Sequence, residues 1–437
     1  MRVLVLILAV LVGLGLTLQY PFVGILLWTW FTVQMPHQEV FGFARTLPLN
    51  LIIVVVTLIA LAISRENKWP QNDVTLWLIV LSLGWMTLAS FFAVDPNWSW
   101  QGWDRTWRIL VLALAISATA MSRVRIHAII WVVVVSLFYY GAKGGMFTLM
   151  SGGRYIVLGP VSSIIRDNNH LALALLMVLP LANYLRTHTK NWWISAGLVA
   201  AMCLTVISVL GSYSRGAYLA MAALVIVAWW RSKNKLLFPI VAAVVIVPTL
   251  YFMPQSFYDR VGTIGIAYES FTSENEEGEQ LEESIAGRLT AWHVATYAAI
   301  DHFPFGVGFS GAQLPAVFHS YFPNAQNRAA HSIYFQVLGD QGFIGLGLYI
   351  ALIVLAFWHC SQIMKAARDR PELSWAGDLA RMIQLSMFAF CVGGAALSMA
   401  YYDVFVIYLG ILPGLRRLTA KTKSHVPAGG RVLAPAE

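Results

Sequence analysis

The chain has 437 residues, 58% of them hydrophobic and only 11% charged, with a formal charge of +8. A soluble domain needs more polar surface than this to cover itself, which excludes the soluble enzyme classes. The basic excess sits in short connections between apolar runs, so it reads as a topology signal before it reads as nucleic-acid binding.

Apolar runs predict spans at 3–18, 21–34, 43–63, 74–92, 105–120, 126–141, 170–186, 192–212, 216–230, 236–253, 333–358 and 380–400, with a last apolar piece at 403–415. Backbone groups in lipid must bond within their own segment, so these are helices. The expected fold is an all-α polytopic membrane protein of about twelve transmembrane helices with one long, partly helical periplasmic loop. The first two spans are short and meet at Tyr20-Pro21, as a V that amounts to one crossing or as two thin crossings. Met1-Arg2 and the apolar run after it resemble a signal peptide. No small-residue cleavage site follows, so the segment is read as retained.

Arg65/Lys68, Arg123/Arg125, Arg186/Lys190, Arg231/Lys233/Lys235, Lys365/Arg368/Arg370/Arg381 and Arg416/Arg417/Lys421/Lys423/Arg431 are eighteen of the twenty-nine basic residues. They fall on alternate connections, which assigns those connections to the cytoplasm. The opposite side holds 93–104, the glycine-rich 142–169 and the long 254–332. The organisation expected is N-terminal transmembrane helices in 1–253, a periplasmic loop in 254–332, C-terminal transmembrane helices in 333–415 and a basic cytoplasmic tail in 416–437. Cys203 and Cys391 fall inside spans and Cys360 at a cytoplasmic span end, so no disulfide is expected.

The long loop carries nine acids against three arginines. Its stretch 273–283 is acidic, of low complexity and expected to be mobile. After it Leu281, Ile285, Leu289 and Trp292 recur at three- and four-residue steps, predicting an amphipathic helix at 284–300. Asp301-His302-Phe303-Pro304 ends that helix, and Gly306, Gly308 and Gly311 mark a turn-rich segment.

Three residues stand out for chemistry. Arg215 follows a span that begins near Trp192. About 22 residues at roughly 1.5 Å each cross the hydrocarbon, so Arg215 lies at the outer interface. An arginine there can snorkel to headgroups, but one flanked by Ser214 and Gly216 is open to close approach and is a functional candidate. Arg288 lies on the predicted loop helix, either balancing nearby glutamates or acting as a second clamp, planar and bidentate toward phosphate oxygens. His331 stands where the chain re-enters the membrane. It either bonds to headgroups or backbone, or takes the proton that an attacking hydroxyl must lose.

Lesser candidates are Lys143, Arg154, Arg166, Asp167, Asn168, Asn169 and His170, where Gly144-Gly145 and Gly152-Gly153 are read as turns and Asp167 also suits a helix N-cap. HExxH, CxxC, P-loop and Rossmann patterns are absent, and His293, His302 and His319 lack metal-ligand spacing. The Glu-x-Glu steps at 274–279 are the one place a divalent ion would sit, and they lie in the acidic run.

Tyr20-Pro-Phe-Val-Gly-Ile-Leu-Leu-Trp-Thr-Trp30, Gly141-Ala-Lys-Gly-Gly-Met-Phe-Thr-Leu149, Asp167-Asn-Asn-His-Leu-Ala-Leu-Ala174, Tyr213-Ser-Arg-Gly-Ala217 and His331-Ser-Ile-Tyr-Phe-Gln-Val-Leu338 together resemble the O-antigen ligase/polymerase superfamily. The nearest branch in likeness is the exosortase-associated O-glycosylation ligases. The resemblance implies an inner-membrane glycosyltransferase with a periplasmic site. Its donor would be an undecaprenyl-pyrophosphate-linked glycan and its acceptor a hydroxyl, of lipid A-core or another molecule. It implies pyrophosphate binding by Arg215 and Arg288, a catalytic role for His331, and Arg154, Arg166, Tyr213, Ser214 and His170 as further substrate-binding positions. No metal or other cofactor is expected. Membrane lipids are partners, nucleic acid is not, and the loop would act as a lid over a cleft open to lipid. A protein O-glycosylation ligase and a repeat-unit polymerase are the alternatives within the class. A lipid-linked sugar transporter is the alternative outside it, for which internal repeats and mid-span charges would speak.

Overall fold

The computed structural model describes residues 2–64, 73–161, 163–231 and 276–421, with the single positions 243, 247, 251, 255 and 258. The expected span at 236–253, most of the loop up to 275 and the tail after 421 therefore lie outside the described residues. Among the described residues there is no strand. The helices are α1 (Arg2–Gln19), α2 (Pro21–Val33), α3 (Leu49–Ile63), α4 (Val74–Phe91), α5 (Pro96–Thr119), α6 (Arg123–Met150), α7 (Asn168–His188), α8 (Trp192–Leu210), α9 (Arg215–Arg231), α10 (Glu276–Asp301), α11 (Pro315–Tyr321), α12 (Ile333–Ala367), α13 (Ser374–Gly394) and α14 (Asp403–Lys421). Five of them, α4, α6, α7, α8 and α12, are long and apolar enough to cross a membrane, and α1, α2 and α3 are shorter apolar helices. The chain is a multi-pass membrane protein.

Side-chain ties sort the connections into two ends, and alternate connections share an end. At one end Arg416 meets Asp73 at 3.1 Å and His359 at 2.6 Å, Arg370 donates to the Thr419 carbonyl at 3.2 Å, and Arg231 donates to Gln384 at 2.9 Å. His188 faces Asp378 there at 3.6 Å, and the Arg123 guanidinium lies over Trp375. This is the basic end. The opposite end gathers the connections after α4, α6, α8 and α13 with the segment that enters α12. Helices α1 and α2 are antiparallel neighbours: a Cβ on Gly13 would meet Leu27, and one on Gly24 would meet Thr17 and Thr57. Phe22 lies 5.0 Å from the Arg125 guanidinium, so the Tyr20-Pro21 turn belongs to the basic end.

Helix α3 starts at Leu49 rather than 43 and α12 runs to Ala367 rather than 358; four further boundaries differ from the sequence expectation, each for a local reason. Helix α5 starts at Pro96 rather than 105, because the Asp95 carboxylate accepts from the Trp98 N–H at 3.1 Å and caps it. Helix α6 runs to Met150, so Gly144-Gly145 are not turns. They let α8 come close: a Cβ on Gly145 would stand 2.1 Å from the Leu204 carbonyl oxygen, and one on Gly144 would stand 2.2 Å from Ser208 Oγ. Gly152 and Gly153 do turn the chain, with φ of 59° and 71°. Helix α13 occupies 374–394 rather than 380–400, with its charged Asp378 and Arg381 at the basic end. The freed stretch 395–402 is irregular but well bonded. Gln336 accepts from the Ala400 N–H at 3.1 Å, and Tyr349 donates to the Ala400 carbonyl at 3.2 Å. The loop helix α10 begins at Glu276 rather than 284, so the acidic run from 276 onward is helical.

Helix α12 is broken at Gly342, whose φ is 67°. The turn-rich segment fills the break. The N–H groups of Val307 and Gly308 donate to the carbonyls of Gly339 at 2.9 Å and Asp340 at 3.1 Å, and the Ser310 N–H donates to the Asp340 carboxylate at 2.8 Å. Gly306 and Gly342 face each other, and a Cβ on Gly306 would lie 2.6 Å from the Gly342 nitrogen. Glycine alone admits both this approach and the positive φ. Tyr401 donates to the other oxygen of Asp340 at 3.2 Å, and Trp85 donates to the Gln341 carbonyl at 2.9 Å. Polar backbone inside the bundle is thus satisfied by protein.

Candidate functional site

Three connections meet at the end opposite the basic one. Arg215 opens α9 after a tight turn. Ser214, fully buried, accepts from the Ala217 N–H at 3.1 Å and caps the helix. Tyr213 takes a left-handed backbone conformation, φ 56°, and its buried hydroxyl donates to the Gly153 carbonyl. Asn168 at the start of α7 donates to the Ser212 carbonyl at 2.7 Å. The turn that aims Arg215 is therefore fastened to the α6–α7 connection and to α7 itself.

Helix α10 is anchored on the start of α12. The Trp292 indole donates to the Ala330 carbonyl at 2.7 Å and stacks on Phe335 with ring centres 4.7 Å apart. Arg288, one turn earlier, is thereby held near Arg215. Burial and the Arg215 guanidinium both depress its pKa below the usual arginine value. No carboxylate pairs with Arg288 among the described residues. Two like charges gathered in a partly desolvated place favour an anion between them. Arg328 joins them: its guanidinium packs on α10 so closely that a Cβ on Gly287 would lie 2.8 Å from it.

His331 precedes α12 with φ 46°, a conformation that costs a non-glycine residue on the order of 1–3 kcal/mol. Ser398 holds it there, accepting from the His331 N–H at 2.8 Å. Burial is the main reason the His331 pKa is lowered. Arg288, His170 and Arg328 lower it further, while Asp167 opposes them. His170, on the first turn of α7, has the backbone of the same Ser398 facing its ring, and its Nε2 is buried with no partner among the described residues.

Arg215, Arg288 and His331, separated by up to 116 positions, thus converge, and His170 is with them. Asp167 caps α7, accepting from the Asn169 N–H at 2.8 Å, and its charge also reaches His331. Arg154 and Arg166 are exposed on the α6–α7 connection and are not among the charges that act on Arg288 or His331. Lys143 is paired with Glu39 at 2.9 Å. Sequence reasoning missed Arg328 and Ser398. Ser398 was hidden inside a stretch read as span, and Arg328 has no periodic signature, though it lies three residues before His331. Among the described residues no three His, Cys, Asp or Glu side chains converge to hold a metal ion.

Residues 199–350 match the O-antigen ligase family, and residues 1–190 match a second family of unknown function. No curated protein matches the chain. The O-antigen ligase match contains Arg215, α10 with Arg288, and His331, and the family is one of ligase- or polymerase-type membrane enzymes. Over residues 199–350 the chain is similar to the O-antigen ligase superfamily.

Proposed function

We propose that the protein is an inner-membrane glycosyltransferase that moves a preassembled glycan from undecaprenyl pyrophosphate to an acceptor hydroxyl, that of lipid A-core, on the periplasmic face. The observation that carries this reading is the convergence of Arg215 and Arg288 beside His331, at the end of the bundle opposite the basic connections. Paired guanidiniums bind the donor pyrophosphate and stabilise the charge that grows on it as it leaves, an effect strongest where water is excluded. They take the part a divalent ion would otherwise fill. His331 orients or deprotonates the acceptor hydroxyl. A single displacement at the anomeric carbon inverts its configuration. The basic end faces the cytoplasm by the distribution of lysine and arginine, which turns the cluster toward the periplasm.

The test is transfer by purified protein in proteoliposomes, with a polyprenyl-pyrophosphate oligosaccharide as donor and lipid A-core as acceptor. Arg215→Ala and His331→Ala insert and fold but lose transfer, and Arg288→Lys loses it too because charge without the planar fork does not reproduce bidentate geometry. Near wild-type transfer by any of the three refutes its assignment. A ladder of products on the polyprenyl carrier identifies a polymerase, and movement of intact donor across the bilayer identifies a transporter.

A further inference from the structure

Two histidines meet at this site, and their surroundings differ. His331 faces Arg288 and Arg328, two cations that make an imidazolium there unfavourable. Its main chain is fixed by Ser398 Oγ. The groups facing His170 are the Asp167 carboxylate, just before its own helix, the backbone of Ser398 from the α13–α14 connection, and the His331 imidazole from the segment entering α12. Nε2 is the buried nitrogen without a partner among the described residues, and the Ser398 backbone faces the ring. A proton on Nδ1, toward that backbone, leaves an uncommitted lone pair on Nε2, turned away from water. A base oriented through its second nitrogen is the arrangement of nucleophile-activating histidines. A buried acceptor without a donor otherwise costs on the order of a lost hydrogen bond, and a hydroxyl brought to it would remove that cost.

We propose that His170 is the base of the transfer reaction, its Nε2 receiving the acceptor proton, while neutral His331 orients the acceptor. The proposal rests on the glycosyl-transfer reading above and divides between two residues what that reading leaves to one. In the step, the acceptor oxygen bonds to the anomeric carbon. The bond from that carbon to the pyrophosphate oxygen breaks with its electron pair going to the phosphate, and the hydroxyl proton passes to His170 Nε2. Asp167 faces the imidazolium that results, and Ser398 links the two histidines so that base and orienting group keep a fixed spacing.

The experiment is the pH profile of kcat/KM for the donor and acceptor named above, in wild type, His170→Gln and Arg328→Gln. Wild type shows an acid limb as the base protonates. His170→Gln lowers kcat by roughly 10²–10⁴-fold, the usual reach of general-base catalysis. It flattens the acid limb and leaves the donor KM within about threefold, because donor binding belongs to the arginines. Arg328→Gln acts on His331 and not on His170, so the acid limb keeps its position. A limb displaced upward in Arg328→Gln, or a His170→Gln enzyme within a few fold of wild-type kcat, overturns the proposal. The Arg328 arm decides the matter even where His170→Gln fails to fold. A wild-type protein with no transfer at all refutes the glycosyl-transfer reading itself.

Discussion

Replacing Trp292 separates the two ties that hold α10, and with it Arg288, against the start of α12. Phenylalanine keeps a ring to stack on Phe335 but loses the indole bond to the Ala330 carbonyl, which is 2.7 Å long. A bond of this kind contributes about 1 kcal/mol net. If the catalytic arrangement depends on that tie, Trp292→Phe lowers kcat/KM about fivefold, at 1.4 kcal/mol per factor of ten. Alanine also removes the parallel stack, with ring centres 4.7 Å apart and planes within 7°. The stack adds about 1 kcal/mol beyond area burial. Trp292→Ala therefore loses about 2 kcal/mol and falls about 30-fold. The assay is initial-rate transfer in proteoliposomes, with gel-filtration profiles confirming that both variants fold. An alanine variant within threefold of wild type would show that α10 is held by other contacts and that Arg288 does not depend on this anchor.

Two further outcomes follow from the geometry. Gly145→Ala forces a Cβ to within 2.1 Å of the Leu204 carbonyl oxygen. Backbone cannot yield there as a side chain would, so the α6–α8 crossing opens at a cost of about 1–3 kcal/mol, read as a lower melting temperature in detergent; an unchanged melting temperature refutes the tight crossing. His331 has a lowered pKa in the folded protein, so as pH falls below roughly 6.5 the unfolded chain takes up the proton first. Its contribution to stability is complete above that range and declines as pH falls toward the folded value. His331→Gln therefore flattens the loss of melting temperature between about pH 7.5 and 5, and identical slopes in variant and wild type refute the buried, arginine-crowded environment.

Much of the bundle was legible because lipid imposes a simple rule. Long apolar runs become helices, and lysine and arginine sort their ends. That rule failed where a span carries charge or an exit is rich in glycine. Asp378 and Arg381 hid the first turns of α13, and Gly144-Gly145 looked like a turn although they are the contact face of α6. In a membrane helix glycine serves close packing as often as it serves turns. The sequence-derived trio Arg215, Arg288 and His331 was legible because each stands at a span end or on a periodic loop helix. Ser398 was not, because its role exists only once α13 stops early and the chain behind it folds back to meet His331 and His170. Arg328 shows its place only in space, packed on Gly287 and facing His331.

The break in α12 has a consequence for how substrates reach the site. Lifting the 306–310 segment away from α12 means breaking the bonds from Val307, Gly308 and Ser310 together. At about 1 kcal/mol each, the detached state is populated below about one part in a hundred. The stretch after α10 therefore travels with α12 as one piece, a buttress rather than a flap. On the proposed function, a polyprenyl donor would reach Arg215 and Arg288 sideways, past helix faces and within the plane of the lipid, while the polar glycan stays above.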